Sequence, residues 1–251
     1  MFTPALTDRS FNYGDGIFTT MAVRNAGVQL LPLHIKRMQD AAKQLGFGQI
    51  DWLSIEQQIC DAVTLPEQVV KLLISRGNGG RGYSPQGIDN PQCYITTAAM
   101  PDYSLQQQQG VRLLSAELKL AVQPALAGLK HTNRLEQVLL KQEQLRRNAD
   151  DLLVLDQQGF LTEAIAANVF FHRHGKWFTP KLDRAGVRGV MREFLLSQFD
   201  AVEVDWPLDE LAHVDSMFIC NALMQIVPVR SVNDIKLDLL PVQQLSRQIR
   251  W

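Results

Sequence analysis

Lys130 ends an apolar, glycine-containing approach, Ala125-Leu126-Ala127-Gly128-Leu129, and helical periodicity begins a few residues later. Burial there would favour the neutral amine, the form that attacks an aldehyde. Taken alone, a lysine near a helix start is better read as a surface residue. Glu163 follows Thr162 and precedes the small residues Ala164, Ile165, Ala166, Ala167 and Asn168. A buried carboxylate in such a run can keep a pyridine nitrogen protonated; its plain alternative is a turn residue closing a hairpin. Gly186-Val187-Arg188-Gly189 leads straight into a helical pattern from Val190, so glycine backbone and helix-start amides could approach a phosphate. Asn221-Ala222-Leu223, between two apolar strands, offers a weaker second set of amides. Arg37 follows His34 by one helical turn and could add positive charge, or could be an exposed helix arginine. Each segment supplies something a phosphorylated cofactor needs, and none decides the matter alone.

Other chemistries find little support. The GxSxG, HExxH and P-loop patterns are absent from the sequence. His172-Arg173-His174 has no carboxylate or cysteine at ligand spacing and reads as an exposed hairpin turn, so no metal is expected. Lys plus Arg number 25 and Asp plus Glu 26, a net charge of -1, which gives no reason to expect nucleic acid or an anionic membrane as a partner. The three cysteines are widely spaced, without a CxxC pair, and point to a reducing compartment. Residues 1–10 lack the basic start and apolar core of a signal peptide, and no apolar run reaches the roughly 18 residues of a membrane helix. A cytoplasmic protein is expected.

The elements that must position these residues mix strand and helix signals. Residues 17–23 read as a strand, 25–27 as a turn and 28–31 as a further extended stretch. Helices are predicted over 34–45 and 52–63, then buried strands over 69–75 and 93–98 around a glycine-rich loop at 76–82. The glutamine-rich stretch 100–110 lacks apolar periodicity and reads as a linker, giving expected domains of 1–105 and 106–251. Beyond it come strands over 111–114, 152–155, 161–162, 169–171, 176–179, 217–220 and 226–229. Helices are expected over 133–147 and 186–199. Without a regular βαβ period, the class is α+β in two domains.

Read in order, the motifs form a set: Tyr13-Gly14-Asp15-Gly16 with Phe18, His34-x-x-Arg37, Lys130 before a helix, Thr162-Glu163 with Asn168, Gly186-Val187-Arg188-Gly189, and the strand from Ile226 through Pro228 to Val229. This set resembles the fold-type IV enzymes that use pyridoxal 5′-phosphate (PLP), over about Asp8 to Val229. Branched-chain and D-amino acid aminotransferases and 4-amino-4-deoxychorismate lyases belong to that family. Phe18-Thr19-Thr20, the Ser75 to Tyr83 loop, the segment from Gly128 to Gln137 and Cys220-Asn221-Ala222-Leu223-Met224 are most similar to the lyase branch. The aminotransferases typically have Phe-Glu-Thr where this chain has Phe18-Thr19-Thr20.

The resemblance implies a smaller N-terminal α/β domain, a larger C-terminal domain with a barrel-like sheet, PLP at the domain interface, and a homodimer acting on a small-molecule substrate. It implies that Lys130 carries PLP as a Schiff base and acts as the base, and that Glu163 faces the pyridine nitrogen. Arg37, the amides of Val187 and Arg188, and those of Asn221 and Ala222 would hold the phosphate, with Asn168 also counted among the cofactor residues. Thr20 would be the proton donor, and Arg76, Arg81 and Tyr83 would face substrate carboxylates. The implied reaction turns 4-amino-4-deoxychorismate into 4-aminobenzoate and pyruvate, a step of folate synthesis. The alternative is transamination of a branched-chain or D-amino acid.

Overall fold

The computed structural model describes residues 4–79 and 82–250. The chain forms two compact units: Met1–Pro101 with Leu129–Arg134, and Asp102–Gly128 with the chain from Leu135 onward. Both units combine sheet and helix, as the α+β reading expects.

The first unit contains α1 (Arg9–Tyr13), β1 (Gly16–Arg24), β2 (Gly27–Val28), α2 (Leu31–Gln44), α3 (Trp52–Asp61), β3 (Gln68–Ser75) and β4 (Gln92–Ala98). Asp8 caps α1 by accepting from the amides of Ser10 and Phe11, and Gly14 closes it at φ 66°. A side chain at Gly14 would also strike Asn133, whose Oδ1 lies 2.2 Å from the place of a Cβ. The strands form an antiparallel sheet in the order β2-β1-β3-β4. Its register sets Ile17 opposite Ile74, Thr19 opposite Leu72 and Met21 opposite Val70. Because side chains alternate along a strand, these residues share one face. That face packs on α2 and α3 through Ile35, Met38, Ile55 and Ile59. The other face carries Phe18 and Thr20, with Lys71 opposite Thr20.

The second unit contains α4 (Ser104–Gln109), β5 (Val111–Ser115), α5 (Leu135–Arg146), β6 (Asp151–Leu155), β7 (Leu161–Ala164), β8 (Asn168–Arg173) and β9 (Lys176–Pro180). It continues with α6 (Val190–Leu196), β10 (Ala201–Val204), a 3-10 turn over Leu208–His213, β11 (Ser216–Asn221), β12 (Gln225–Val232), β13 (Ile235–Lys236) and α7 (Leu240–Gln248). One curled sheet runs in the order β10-β9-β8-β11-β12-β5-β6-β7, with β13 beside β12. Val111, Leu153, Val169, Phe171, Met217 and Val227 build its main core. Leu140 of α5 packs with Leu152 and Val154 of β6 in a second cluster. Every residue of β7 is buried, which gives it an unbroken run and not an alternating one.

Several elements differ from the sequence expectation. The linker expected over 100–110 contains α4, and the boundary expected at 105/106 falls inside it. Gln107 donates from Nε2 to the Met224 carbonyl at 2.9 Å, so the glutamine run packs down. A polar helix of six residues carries no apolar period by which to read it. The extended stretch expected over 28–31 ends at Val28, since Leu30 turns at φ 54° and a proline opens α2. The helix expected from Gly186 starts at Val190, and 186–189 are loop. No helix among the described residues is long and apolar enough to cross a membrane.

Candidate active site

In the first unit, residues 129–134 lie along the start of β1. The Phe18 amide donates to the Lys130 carbonyl at 2.9 Å, and the Thr132 amide to the Gly16 carbonyl at 2.9 Å. The Thr132 hydroxyl adds a bond to the Gly14 carbonyl at 2.7 Å. Arg134 closes the segment on itself, donating from Nε to the His131 carbonyl and from Nη2 to that of Leu129. The main chain on both sides of Lys130 is therefore fixed. Its half-buried side chain sets Nζ 4.7 Å from the centre of the Phe18 ring. Strand alternation places Thr20 on that same face of β1, while Thr19 points to the core. Lys71 Nζ lies 5.0 Å from the same ring.

Arg37 projects from α2 and donates from Nη2 to the Thr19 hydroxyl at 2.5 Å. Its Nε is buried without a hydrogen-bond partner, and among the described residues no carboxylate pairs with it. Burial, and then the charge of Arg134, push Arg37 down to about 10. Burial followed by Arg134 and Lys130 pushes His131 down to about 4. Positive charge from Arg37, Arg134 and Lys130 is thus concentrated here, and His131 stays neutral among them.

The second unit builds its part from β7, β8 and the loop 186–189. Glu163 is buried, and its Oε2 accepts from the Val187 amide at 2.8 Å. Gly186, at φ 82°, leaves room for this: a Cβ would stand 2.8 Å from both Thr162 Cγ2 and Leu182 Cδ2. The Gly128 amide donates to the Gly186 carbonyl at 2.9 Å, and the Arg188 amide returns a bond to the Gly128 carbonyl at 3.0 Å. Asn168 donates from Nδ2 to the Val187 carbonyl at 2.8 Å and accepts at Oδ1 from the Gly189 amide at 3.1 Å. The result is a fixed carboxylate with a rigid loop behind it.

This geometry bears on three sequence expectations. The Val187 amide donates to Glu163 Oε2 and the Arg188 amide to the Gly128 carbonyl. Asn168 uses both ends of its amide to hold the loop and acts as a support. Arg76 is buried, donating to Asp15 Oδ2 at 2.7 Å, to the Gly46 carbonyl at 2.7 Å and to the Leu45 carbonyl at 2.8 Å. Its guanidinium faces the fold instead of a substrate carboxylate. Asp15 Oδ2 also accepts from Arg9 Nε at 2.8 Å. Burial pushes the Asp15 carboxyl up, but the bonds to Arg76 and Arg9 outweigh it and hold it below its ordinary range. Arg9 in turn donates to the carbonyls of Gly82, Tyr83 and Ser84, pinning that loop from below. The exposed Tyr83 stands edge-on to Tyr13, ring centres 5.3 Å apart. Arg81 lies outside the described residues. Asn221 forms a turn, with Oδ1 accepting from the amides of Leu223 and Met224, both at 2.9 Å.

Sequence reasoning missed Phe18 as the platform under Lys130, Arg134 as the staple of its segment, and Thr19 as the partner of Arg37. Only the alternation along 17–23 could have hinted that Thr19 and Thr20 face opposite ways.

The family model of class IV amino-transferases matches residues 16–232. The chain is 37% identical over 254 residues to the aminodeoxychorismate lyase of Vibrio harveyi, covering 98% of this chain and 93% of that one. Its structure matches the crystal structure of 4-amino-4-deoxychorismate lyase from Pseudomonas aeruginosa with a TM-score of 0.93 at 34% identity, over 100% of this chain and 95% of the other. The branched-chain amino acid aminotransferase of Escherichia coli shares the fold, with a TM-score of 0.89 at 19% identity over 98% and 88% of the two chains.

Proposed function

Because the chain belongs to the class IV amino-transferase family, we propose that it is a PLP-dependent lyase converting 4-amino-4-deoxychorismate to 4-aminobenzoate and pyruvate in folate synthesis. The observation that carries the cofactor assignment lies in the first unit. A lysine with both flanks of its main chain fixed stands on the same unit as Arg37, a half-buried cation with a buried, unpartnered Nε and no acid paired with it among the described residues. Those residues fit an aldehyde that also bears a phosphate. Lys130 is the proposed point of covalent attachment, Arg37 the phosphate ligand and Glu163 the partner of the pyridine nitrogen. The main chain at Asn221 and Ala222 is kept as a second phosphate contact.

When bound, PLP draws the negative charge that develops on the substrate into its pyridine ring. The remaining work belongs to the chain. Lys130 Nζ would take the proton from the substrate ring carbon C4. The bond from the ring to the enolpyruvyl oxygen then breaks, and the ring becomes aromatic. Thr20, on the Phe18 face of β1, is the proposed proton donor to the departing group. Arg81 and Tyr83 are kept as proposed contacts for the substrate carboxylates.

The lyase assignment leans on the 37% identical relative, while the aminotransferase at 19% supports the fold alone. Aminodeoxychorismate supplied without any keto acid is expected to give many turnovers, with pyruvate and 4-aminobenzoate in equal amounts and unchanged cofactor absorbance. A single burst that ends in pyridoxamine phosphate would assign the protein to the transaminases instead.

A homodimer is part of the proposal. Leu135, Val138, Leu139 and Leu145 expose an apolar stripe along α5, and Phe11 is exposed on α1. Light scattering is expected to give twice the mass of the chain. A monomer that keeps full activity at high dilution would remove this part of the proposal.

A further inference from the structure

Thr19 lies in the middle of the apolar face of β1, between Ile17 and Met21, and is fully buried. A polar group there costs stability unless its bonding is satisfied. Its hydroxyl oxygen stands 2.6 Å from His34 Nδ1 and accepts from Arg37 Nη2 at 2.5 Å.

A guanidinium can only donate, so Arg37 takes one lone pair of the Thr19 oxygen. The oxygen keeps a second lone pair and its own proton, so His34 Nδ1 either accepts that proton or donates to that lone pair, according to its tautomer. Burial, and then the charges of Arg37 and Lys130, hold His34 well below its ordinary range, so its ring is neutral.

Satisfying buried polar groups is not what this arrangement does best. His34 Nε2 and Arg37 Nε remain buried without hydrogen-bond partners. What the three residues do achieve is direction. His34 fixes the rotation of the Thr19 hydroxyl, so that a lone pair faces Arg37. Thr19 fixes one arm of the guanidinium without adding a negative charge, and the charge of Arg37 stays available to an outside anion.

We propose that Thr19 and His34 are positioning residues that aim Arg37 at the phosphate of the cofactor. This rests on the cofactor assignment above and goes beyond it, since both residues act through Arg37. Valine matches threonine in shape, so Thr19→Val removes the bond with little change in packing.

The test separates the phosphate from the rest of the cofactor. Apoprotein is titrated with PLP and with pyridoxal, which has the same aldehyde and ring nitrogen but no phosphate, and binding is followed by absorbance. A hydrogen bond to a charged group sets the expectation: Thr19→Val should weaken PLP by about tenfold or more while pyridoxal changes by less than about twofold. Thr19→Ser should restore the PLP affinity, and His34→Ala should move the ratio of the two affinities in the same direction as Thr19→Val. If Thr19→Val does not fold, Thr19→Ala serves for the same ratio. Equal weakening of PLP and pyridoxal would mean a structural role only and would overturn the proposal, as would an unchanged ratio. Failure of the unaltered protein to bind PLP at Lys130 would instead overturn the cofactor assignment beneath it.

Discussion

Lys130→Ala is expected to abolish turnover and leave the fold in place. The side chain is expected to do two jobs, holding the cofactor and moving the C4 proton, and loss of the second alone is worth about 10²- to 10⁴-fold. The fold should survive because the bonds that place this segment come from its main chain. Phe18 donates to the carbonyl of Lys130, and Thr132 donates to Gly16; alanine keeps both. Circular dichroism and the unfolding midpoint should therefore stay close to those of the unaltered protein. Borohydride reduction of the PLP-loaded protein, followed by peptide mapping, should find the label on Lys130. Lys71 is the sharpest control, since its Nζ stands 5.0 Å from the same Phe18 ring that Lys130 approaches at 4.7 Å. A label on Lys71, Lys119 or Lys141 would refute the assignment.

Glu163→Gln should still bind PLP and lose most of its turnover. Glutamine has the same shape, and its carbonyl oxygen can go on accepting from the Val187 amide. The loop 186–189 should therefore stay where Gly128 and Asn168 hold it. What disappears is a buried negative charge. If that charge faces the pyridine nitrogen, its loss should cost about 3–4 kcal/mol in the barrier, the size seen when one preorganised electrostatic partner is removed. The measurement is kcat beside the PLP dissociation constant. A fall in kcat of roughly a hundredfold or more with nearly unchanged PLP affinity is the expected pattern. Near-normal kcat would make Glu163 a residue that only orients the loop.

The two variants probe different kinds of information. Lys130 and Glu163 were singled out in the sequence by their local settings, an apolar glycine approach and a run of small residues, together with their place in an ordered set of motifs. The sheet strands were legible for a similar reason: 69–75 and 93–98 are apolar and bounded by turn residues, and the structure has β3 and β4 there. The glycines of 186–189 were read as a place where the backbone approaches a ligand; in the structure Gly186 makes room for Thr162, Leu182 and Glu163.

What the amino-acid order determined by itself is therefore local: the strands and helices whose apolar periods are long enough to read, and the residues whose chemistry is unusual for their surroundings. Tertiary structure decided where each polar group is spent. No spacing rule says that Val187 gives its amide to Glu163, or that Arg76 gives its guanidinium to Asp15 and two carbonyls, because those partners come from 24 to 61 residues away. Nor does it say that Thr19 turns inward to Arg37 while Thr20 shares a face with Phe18. That division follows from the register of β1 on β3, which buries one set of alternate residues against α2 and leaves the other set on the face that Lys130 approaches. A hydrogen bond is short in space and indifferent to sequence distance, so its partners are fixed only when the chain has packed.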